Sequence, residues 1–429
     1  MKMVYDAINM IVAAIPLPYT GGGGYRALLS IEEYKKRGIN SFLVLPWSFQ
    51  FKTRERIKKD IISLLKEGVN ICGYATPPRF LYPNFPTKRA ISNFILSCEP
   101  SLIKITINKR SSHKFHCVMS MHEGVDAITT ALRVGEIFSL KKIVLLQLPP
   151  FYGDERRIKI LESVDQFWLE LTKTNPLRRP WMVLKRKINE NVAKNIRSLL
   201  SKFDLILAVS RAIPIEMGEE WIHKVVSLDP GVALSQSDLQ LINEISTKTH
   251  RKEKIVIFGG RPDPYKGIID ALLAWKSILR SANQDYKLIV TGDVQPNILA
   301  RLKLFCRKMN IEDKVLFTGF IPREERLSLV AKAKMMLYPS HVDSFSYAVL
   351  EALHLNTPVV AYDIPALKIY YSGLEGITLV KETDIESLAQ KSIEYIESKN
   401  VQVEKPIFTK NWDKIMDEET EIIKRCLYT

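Results

Sequence analysis

The stretch IVIFGGRPDPYKG, residues 255–267, decides the fold of its half of the chain. Its first four residues are all apolar, which favours a strand buried on both faces of a parallel sheet. Gly259 and Gly260 then allow a sharp turn and a close approach of the backbone to a ligand. Arg261 and Lys266 lie in the same loop, where guanidinium and ammonium groups can both bind phosphate oxygens. This order predicts a doubly wound α/β unit with an anion site beyond the strand. The alternative is a tight turn with two exposed cations.

The same alternation of strands and helices extends outward over the whole chain. Apolar runs predict strands at residues 8–16, 41–46, 102–107, 116–121, 142–148, 204–210, 255–260, 287–292, 314–319, 334–340, 358–362 and 376–380. Segments with helical spacing separate these runs, so we expect parallel sheets covered by helices. The pattern pauses at the polar segment 235–254, and 429 residues are too many for one ordinary core. We predict an N-terminal domain at 1–232, a linker at 233–252 and a C-terminal domain at 253–429, whose last helix could pack back on the first domain.

Charge is distributed unevenly between the two predicted domains. Residues 1–232 contain 35 Lys and Arg against 21 Asp and Glu, a net charge of +14, whereas the rest contain 27 against 26. This asymmetry favours an anionic partner for the N-terminal half. A solvated basic surface without a partner is the alternative.

Other features of the whole chain exclude several classes of protein. No apolar run approaches the ~20 residues of a membrane-spanning helix. INMIVAAIPLP, residues 8–18, is followed by glycines and no small-residue cleavage site, which predicts a core strand rather than a signal peptide. The cysteines are Cys72, Cys98, Cys117, Cys306 and Cys426. Because they are scattered, odd in number and never spaced as CxxC, we expect free thiols in a reducing compartment and no zinc site.

A second glycine-rich stretch, TGGGGYR, follows the first predicted strand at residues 20–26. A backbone loop of glycines before a helix suits a bulky anionic ligand, and Gly22, Gly23 and Gly24 are the candidates. The stretch lacks the dinucleotide fingerprint, because position 26 is Arg and no acidic residue follows the next strand. Glycine-rich loops are common, so this motif alone is weak.

Two acidic residues stand eight positions apart in PSHVDSFSYAVLEALHLNTPVVAY, residues 339–362. We expect a loop that contains Asp343 and a helix from about position 346 to 355 that contains Glu351 in its second turn. The backbone N–H groups between the acids belong to Ser344, Phe345, Ser346 and Tyr347. Such groups can bind an anion, while each carboxylate accepts hydrogen bonds from a sugar diol. The alternative is an acid at a helix N-terminus and a Glu paired in the core.

Taken in order, these motifs resemble the retaining GT-B glycosyltransferases of family 4. That family has E-x7-E within EGFGxxxLEAxxxGxPVV, and this chain has D-x7-E followed by NTPVVAY. TGGGGYRALLSIEEYKKRGINSFLV, FDLILAVSRA and VVSLDPGV resemble further stretches of the family, so the match covers most of the chain. Asp343 is one methylene shorter than the family's Glu, Ser344 and Ser346 replace glycines, and LDPGV lacks the family's Asn.

The resemblance implies two Rossmann-like domains that face a central cleft, with the nucleotide-sugar donor bound mainly by the C-terminal one. It implies that Arg261, Lys266 and the Gly260 loop bind the diphosphate, that Glu351 binds the ribose, and that Asp343 contacts the transferred sugar. His122, in VMSMHEG, resembles the family's His near the reacting sugar, although alone it is more typical of a loop or core histidine. The donor is then a substrate, and we expect no cofactor and no metal, because the chain has no Asp-x-Asp motif.

The base, the sugar and the acceptor, glycan or lipid-linked, are left open by the sequence. An inverting transferase or a sugar-nucleotide epimerase is the enzymatic alternative, and a basic anion-binding or nucleic-acid-binding protein is the non-enzymatic one. Aromatic and basic residues do not form a recognisable nucleic-acid module, so we expect no nucleic acid. The segment 150–200 interleaves aromatic, aliphatic and basic residues. It predicts either a solvated helix pair or contact with an anionic membrane by a cytoplasmic protein.

Overall fold

The computed structural model describes residues 7–14, 22–46, 69–78, 86–107, 114–172, 178–249, 251–281, 285–408 and 410–429. The chain forms two compact units. The first comprises Met1–Asp154, Arg179–Val232 and Trp412–Thr429, and the second comprises Glu155–Arg178 and Ala233–Asn411.

The regular elements follow the alternation that the sequence predicts. The strands are β1 (Ile8–Ala14), β2 (Ile39–Pro46), β3 (Asn70–Thr76), β4 (Lys104–Ile107), β5 (Cys117–Ser120), β6 (Lys141–Leu146), β7 (Leu205–Ala208), β8 (Val226–Ser227), β9 (Ile255–Phe258), β10 (Lys287–Thr291), β11 (Val315–Gly319), β12 (Met335–Tyr338), β13 (Val359–Tyr362) and β14 (Ile377–Val380). The α-helices are α1 (Gly22–Lys36), α2 (Pro86–Cys98), α3 (Val125–Phe138), α4 (Glu155–Thr172), α5 (Arg178–Leu200), α6 (Ala212–Met217), α7 (Glu219–Ile222), α8 (Gln236–Lys248), α9 (Ile268–Ser281), α10 (Pro296–Lys308), α11 (Arg323–Lys332), α12 (Tyr347–His354), α13 (Pro365–Tyr371), α14 (Ile385–Glu397) and α15 (Trp412–Tyr428).

The sheet of the first unit has the strand order β4-β3-β2-β1-β5-β6-β7-β8. Its neighbours are parallel from β3 to β8, and the order reverses between β1 and β5. The parallel arrangement that the sequence predicts ends at one edge, where β4 runs antiparallel to β3 with Gly73 opposite Ile107. The sequence does not predict β3, because its residues, NICGYAT, are neither continuously apolar nor strictly alternating.

The sheet of the second unit has the order β11-β10-β9-β12-β13-β14, and all its neighbours are parallel. Its central strands are the apolar runs expected from the sequence, with every residue of β12 and β13 buried. Continuous burial on both faces explains why these strands lack alternation. Both units are therefore Rossmann-like α/β layers, as predicted.

The predicted linker at 233–252 contains helix α8 and groups with the second unit. Ser235 caps this helix by accepting from the N–H of Asp238 at 3.1 Å, and the Asp238 carboxylate accepts from the N–H of Ser235 at 3.1 Å. This reciprocal capping box favours a helix within the segment that the sequence predicts as a linker. The segment Glu155–Arg178, placed in the first domain by the sequence, also groups with the second unit.

Helix α15 groups with the first unit through a buried ion pair. Nη2 of Arg26, in α1, lies 2.6 Å from Oε2 of Glu419, and both side chains are almost fully buried. Arg26 also donates to the carbonyl of Gly231 at 2.7 Å, and the hydroxyl of Tyr34 donates to Glu419. Burying one of these charges without the other would cost several kcal/mol, so the pair fixes the end of the chain against α1.

All five cysteines are free thiols, and Cys72, Cys117 and Cys306 are buried. Burial raises the pKa of the Cys72 and Cys306 thiols to about 12. Among the helices in the described part of the chain, none is long and apolar enough to cross a membrane.

Candidate active site

The strand order of the second sheet reverses between β9 and β12, which are neighbouring parallel strands. In open α/β sheets, ligands bind in the crevice beyond the carboxyl ends of such strands. Arg261 and Lys266 lie in the loop after β9, and Asp343 lies in the loop after β12. The fold therefore brings two motifs that are distant in sequence to one edge of the sheet.

The two loops are joined through their backbones. The N–H groups of His341 and Val342 donate to the carbonyl of Tyr265 at 2.9 and 3.3 Å. Gly267 has a φ of +73°, and a Cβ at this position would lie 1.8 Å from the carbonyl oxygen of Pro339. Only glycine fits this crossing. The positions of the two loops are consequently fixed relative to each other.

Lys266 and Asp343 form an ion pair where the loops meet. The Lys266 ammonium donates to Oδ2 of Asp343 at 3.1 Å and to the carbonyl of Val342 at 2.9 Å. The Tyr338 hydroxyl donates to the same carboxylate oxygen, and the N–H of Ser344 donates to Oδ1 at 2.9 Å. Burial opposes the charge on Asp343, but Lys266 and these hydrogen bonds lower the pKa of the carboxyl below its usual value.

The same contacts keep the two partners of Asp343 protonated. Burial opposes the charge on Lys266, but Asp343 raises the pKa of its ammonium. Burial and the neighbouring carboxylate raise the pKa of Tyr338 to about 12. An ammonium has three N–H donors. Two of them are used within the protein, and the side chain of Lys266 is 28% exposed, so one donor can meet an anion.

Arg261 lies in the same loop in a different environment. Its side chain is 62% exposed, and Nη2 lies 3.5 Å from Oδ2 of Asp263. Asp263 itself accepts from the N–H of Tyr265 at 3.0 Å and so caps the short 3-10 turn 264–266. Arg261 is therefore the exposed cation of the pair, and Lys266 is the one held by partners within the protein. Gly260 has a packing role, because a Cβ there would lie 2.9 Å from Cβ of Lys266.

The start of helix α12 differs from the prediction in how its backbone N–H groups are used. We expected those of residues 344–347 to be available to an anion. Instead, the N–H groups of Ser344 and Phe345 donate to Oδ1 of Asp343, at 2.9 and 3.4 Å. Ser346 caps the helix with a φ of +72° and accepts from the N–H of Val349 at 3.3 Å. An anion at this helix end would therefore have to meet the remaining N–H groups in the first turn of α12, and this contact stays a prediction.

Phe345, predicted as a ligand residue, is a core side chain. It is buried, and its ring packs against those of Tyr370, Tyr371 and Phe408, with centroids 4.7 to 5.8 Å away. The Tyr371 hydroxyl also donates to the carbonyl of Ser346 at 3.0 Å. These contacts support the strained backbone at the start of the helix. Tyr347 is the first residue of α12, and its contact with a ligand stays a prediction.

Glu351 has partners that the sequence did not reveal. Its side chain is 1% exposed, and its two oxygens lie 2.7 Å from Nη2 of Arg323 and 2.6 Å from Nη2 of Arg326. Arg323 also lies 2.9 Å from Oδ1 of Asp238, in the capping box of α8. The buried carboxylate is thus neutralised by two arginines of α11. Its predicted role as the ribose ligand stays a prediction, since the core pairing already explains its burial.

The first unit places His122 beyond β5, at the corresponding reversal of its own sheet. Nδ1 of His122 accepts from the N–H of Gly124 at 2.7 Å, which leaves Nε2 as the ring atom that can donate. Nε2 lies 3.8 Å from Oε1 of Glu123, and the His122 side chain is 37% exposed. Glu123 accepts from the N–H groups of Gln147 and Leu148 at 3.2 and 3.3 Å. Glu123 therefore joins the loops after β5 and β6 and orients the His122 segment.

The glycines beyond β1 form a helix rather than the predicted loop. Helix α1 begins at Gly22, so Gly22, Gly23 and Gly24 make up its first turn. A Cβ at Gly23 would lie 2.5 Å from Oε1 of Gln147. Gly23 therefore lacks a side chain because Gln147 packs closely against it, and this packing explains the glycine without invoking a ligand. Within the described ranges, no cluster of three or more His, Cys, Asp or Glu side chains is arranged to bind a metal.

Two Rossmann-like units, with a lysine-carboxylate pair at the reversal of the second sheet, define the GT-B class of fold. Residues 242–407 match the family described as Glycosyl transferases group 1. This part of the chain is therefore similar to that family, as the sequence motifs predict. The match covers most of the second unit, including Lys266, Asp343 and Glu351.

Known proteins agree with this assignment. An uncharacterised glycosyltransferase of Methanocaldococcus jannaschii is 30% identical over 115 residues, which are 27% of this chain and 28% of that protein. Sucrose-phosphate synthase from Thermosynechococcus elongatus has a TM-score of 0.60 at 14% identity and covers 99% of this chain and 100% of its own. The Anabaena protein HepE, solved in complex with UDP-glucose, has a TM-score of 0.56 at 14% identity, with 98% and 95% covered. The alignments to curated relatives span less than half of those relatives' length, whereas the structures share the fold throughout.

Proposed function

We propose that this protein is a retaining hexosyltransferase that moves a sugar from a nucleoside-diphosphate sugar to an acceptor hydroxyl. The observation that carries the proposal is the Lys266–Asp343 pair at the reversal between β9 and β12. It combines a fixed cation with a carboxylate at the edge of the sheet where ligands bind. Both residues also lie within the part of the chain that matches the family.

The geometry supports two separate roles in donor binding: the cations bind the diphosphate, and the carboxylate binds sugar hydroxyl groups. The remaining N–H donor of Lys266 can meet a phosphate oxygen, and the exposed Arg261 can close on the diphosphate from the same loop. Asp343 would be repelled by a phosphate and instead suits the hydroxyl groups of the transferred sugar. Lys266 then lies between the two parts of the donor.

The reaction requires negative charge to be stabilised as the bond between the sugar and the diphosphate breaks. Lys266 supplies a positive charge for this step in a position set before the donor arrives, and the exposed Arg261 adds a second positive charge from the same loop. The acceptor hydroxyl attacks from the face that the diphosphate leaves. A bond forms between its oxygen and the anomeric carbon, and its proton passes to a diphosphate oxygen. No carboxylate nucleophile is required. For His122, a role near the transferred sugar rests on the family resemblance alone.

The donor panel should begin with UDP-hexoses, because HepE was solved with UDP-glucose. Thermal shifts with UDP-, GDP- and ADP-hexoses should reveal one stabilising nucleotide, and transfer assays should follow with that donor. Anomer analysis of the product separates retention from inversion and from epimerisation. No stabilisation by any member of the panel, together with no release of nucleotide diphosphate, would contradict the proposal.

A matched pair of lysine variants tests the site itself. Lys266→Ala should abolish most turnover, whereas Lys254→Ala should leave it unchanged. Lys254 directly precedes β9, at the opposite end of the strand from Lys266, and pairs with Asp285 at the surface at 3.0 Å. Equal loss in both variants would show a general effect of charge rather than a site.

The acceptor class is proposed from the charge of residues 1–232, which carry +14. An acceptor linked to an anionic lipid surface fits this charge better than a neutral soluble glycan. Helix α5 is the candidate contact, since Leu184, Arg186 and Lys187 are exposed on it. The side chains of residues 178–183, which the sequence analysis included in this surface, lie outside the described residues.

A further inference from the structure

A buried group of charged side chains lies behind the two donor loops of the second unit. His341 is 1% exposed, with Nδ1 2.9 Å from Oε1 of Glu382 and Nε2 3.1 Å from Oδ2 of Asp270. Glu382 also pairs with Nη1 of Arg157, from α4, at 2.5 Å. The Tyr362 hydroxyl donates to Oδ2 of Asp270 at 2.7 Å. The described groups around His341 therefore come from four parts of the second unit. They are Asp270 of α9, Tyr362 of β13, Glu382 after β14 and Arg157 of α4.

The protonation state of His341 follows from this geometry. Nδ1 is hydrogen-bonded to Glu382, and Nε2 lies 3.1 Å from an Asp270 oxygen. Only the imidazolium carries a proton, and hence positive charge, beside both carboxylates. A neutral ring would direct one lone pair at a carboxylate. The charges of Asp270, Glu382 and Arg157 add up to a net negative charge, which protonated His341 cancels. A buried group without net charge costs less desolvation energy than a charged one.

His341 is connected to the donor-binding residues through its own backbone. Its N–H donates to the carbonyl of Tyr265, next to Lys266, and its carbonyl accepts from Nη2 of Arg157 at 2.6 Å. Two residues further along the loop lies Asp343. His341 thus belongs to the same loop whose Val342 carbonyl and Asp343 carboxylate bind the Lys266 ammonium, and its backbone contacts provide a direct route from the ring to these groups.

We propose that His341 is a positioning residue whose protonated ring keeps the Asp343 loop in register with Lys266, so that donor binding requires the imidazolium. This inference deepens the proposed function and rests on it for the donor. Burial opposes the charge, but Asp270 and Glu382 raise the pKa of His341 above its usual value. The stabilisation is therefore complete below the ordinary histidine pKa of ~6.5 and is lost as the pH rises through the raised value.

The first test measures protonation directly and needs no donor. Two-bond ¹H–¹⁵N spectra of the ¹⁵N-histidine-labelled full chain, with the His341 signal assigned by its absence in His341→Gln, follow the ring between pH 5 and 10. We expect an imidazolium at neutral pH. A neutral ring at pH 6 would overturn the proposal, whatever the donor proves to be. If His341→Gln does not fold, the signal can be assigned in Tyr362→Phe, whose ring contact with His341 at 5.3 Å is altered.

The second test uses the donor that the thermal-shift panel identifies. Affinity in the wild type should fall by roughly tenfold per pH unit above the His341 pKa, because only the protonated fraction binds. The His341→Gln variant should bind the donor weakly, and its affinity should not fall further as the pH rises through this range. His341→Gln combined with Asp270→Asn restores a neutral cluster and should recover affinity at pH 7. An unchanged alkaline limb in His341→Gln, or no recovery in the double variant, would overturn the role of the charge.

The two tests separate this inference from the proposed function. An imidazolium at neutral pH with no bound nucleotide sugar would refute the donor assignment and leave the state of His341 established. Donor binding with a neutral His341 would support the donor assignment and refute the role of the imidazolium. Glu397→Gln is a suitable control, because its side chain is on the exposed part of α14, and it should leave the pH profile as in the wild type.

Discussion

The ammonium of Lys266 lies 3.1 Å from the carboxylate of Asp343, although 77 positions separate the two residues. Their contact spans the point where the second sheet reverses its strand order, and the crossing at Gly267 fixes the loops that carry them. A cation and an anion that neutralise each other before the donor binds need little rearrangement to divide between a phosphate and a sugar hydroxyl. The predictions below follow from this arrangement and from the other buried pairs.

Removal of the Lys266 ammonium should lower kcat more than it raises KM, because the charge it meets grows in the transition state. A loss of ~2.7–4 kcal/mol, or roughly a hundred- to thousandfold in rate, is expected for one such contact. Steady-state kinetics of Lys266→Ala against Lys254→Ala measure it. A raised KM with unchanged kcat would mean that Lys266 binds the ground state equally well.

Tyr338→Phe should weaken the site mildly and shift its response to acid. The variant removes one hydrogen bond to the Asp343 carboxylate, which is worth ~1.5–3 kcal/mol for a charged partner. Because the pKa of Asp343 is lowered in the fold, its contribution to stability is present above the unfolded value and disappears as the pH falls through the lowered one. In Tyr338→Phe this loss should begin at higher pH.

The measurement for Tyr338 is the melting temperature between pH 7 and 3, as a difference from the wild type. Tyr395→Phe provides the control, since the Tyr395 hydroxyl bonds to the neutral hydroxyl of Thr378 at 3.0 Å. Its difference from the wild type should not depend on pH. A flat difference for Tyr338→Phe as well would rule out the proposed coupling to Asp343.

Glu351→Ala should destabilise the second unit by ~3–5 kcal/mol, because it leaves Arg323 and Arg326 without their shared buried carboxylate. Urea unfolding measures this loss, and Glu312→Ala, which removes an exposed and solvent-screened pair, should have little effect on the same measurement. Donor affinity of folded Glu351→Gln then decides the ribose role. Wild-type affinity would restrict Glu351 to structural support, and unchanged stability in Glu351→Ala would contradict the pairing.

Turnover should be the same in excess chelator as in its absence. Lys266 and Arg261 supply two positive charges in the donor loop, which can replace a divalent ion at the diphosphate. The assay compares initial rates with EDTA, without EDTA, and with added Mg²⁺ or Mn²⁺. A strict requirement for either metal would show that the two side chains do not suffice.

Binding to vesicles should depend on anionic lipid and fall at high salt. Each basic residue near such a surface contributes on the order of 1 kcal/mol. The test variant changes Arg178, Arg179, Lys185, Arg186 and Lys187 to Ser. The control changes an equal number of second-unit cations, Lys254, Arg307, Lys332, Lys368 and Lys391. Co-sedimentation should be lost only in the first variant, and indifference to lipid charge would leave a soluble acceptor as the better proposal.

The family, the GT-B fold and the central strands were predictable because local signals carry them. Strands such as β9 and β12 are continuous apolar runs, and the motif with Lys266 follows directly in sequence. Helix α8 could also have been predicted from the sequence, since Ser235 and Asp238 have the spacing of a capping box. The segment is nonetheless polar and without strand signal, which is also typical of a linker.

The remaining features depend on contacts between distant residues, which no local pattern encodes. Nothing near Glu351 in the sequence indicates that Arg323 and Arg326, one turn apart on another helix, meet its two oxygens. The N–H groups of Ser344 and Phe345 were expected to face a ligand, yet Asp343 is close enough to accept from both. Likewise, the position of His341 among Asp270 and Glu382 follows only from the assembled sheet.

The buried pair of Arg26 and Glu419 has a consequence for the order in which the protein can fold during synthesis. Glu419 follows Arg26 by 393 positions, and the entire second unit is translated between them. Domains generally fold as units from the N-terminus as they leave the ribosome. Here the N-terminal unit lacks the carboxylate partner of Arg26 until helix α15 emerges, so the second unit can reach its native state first.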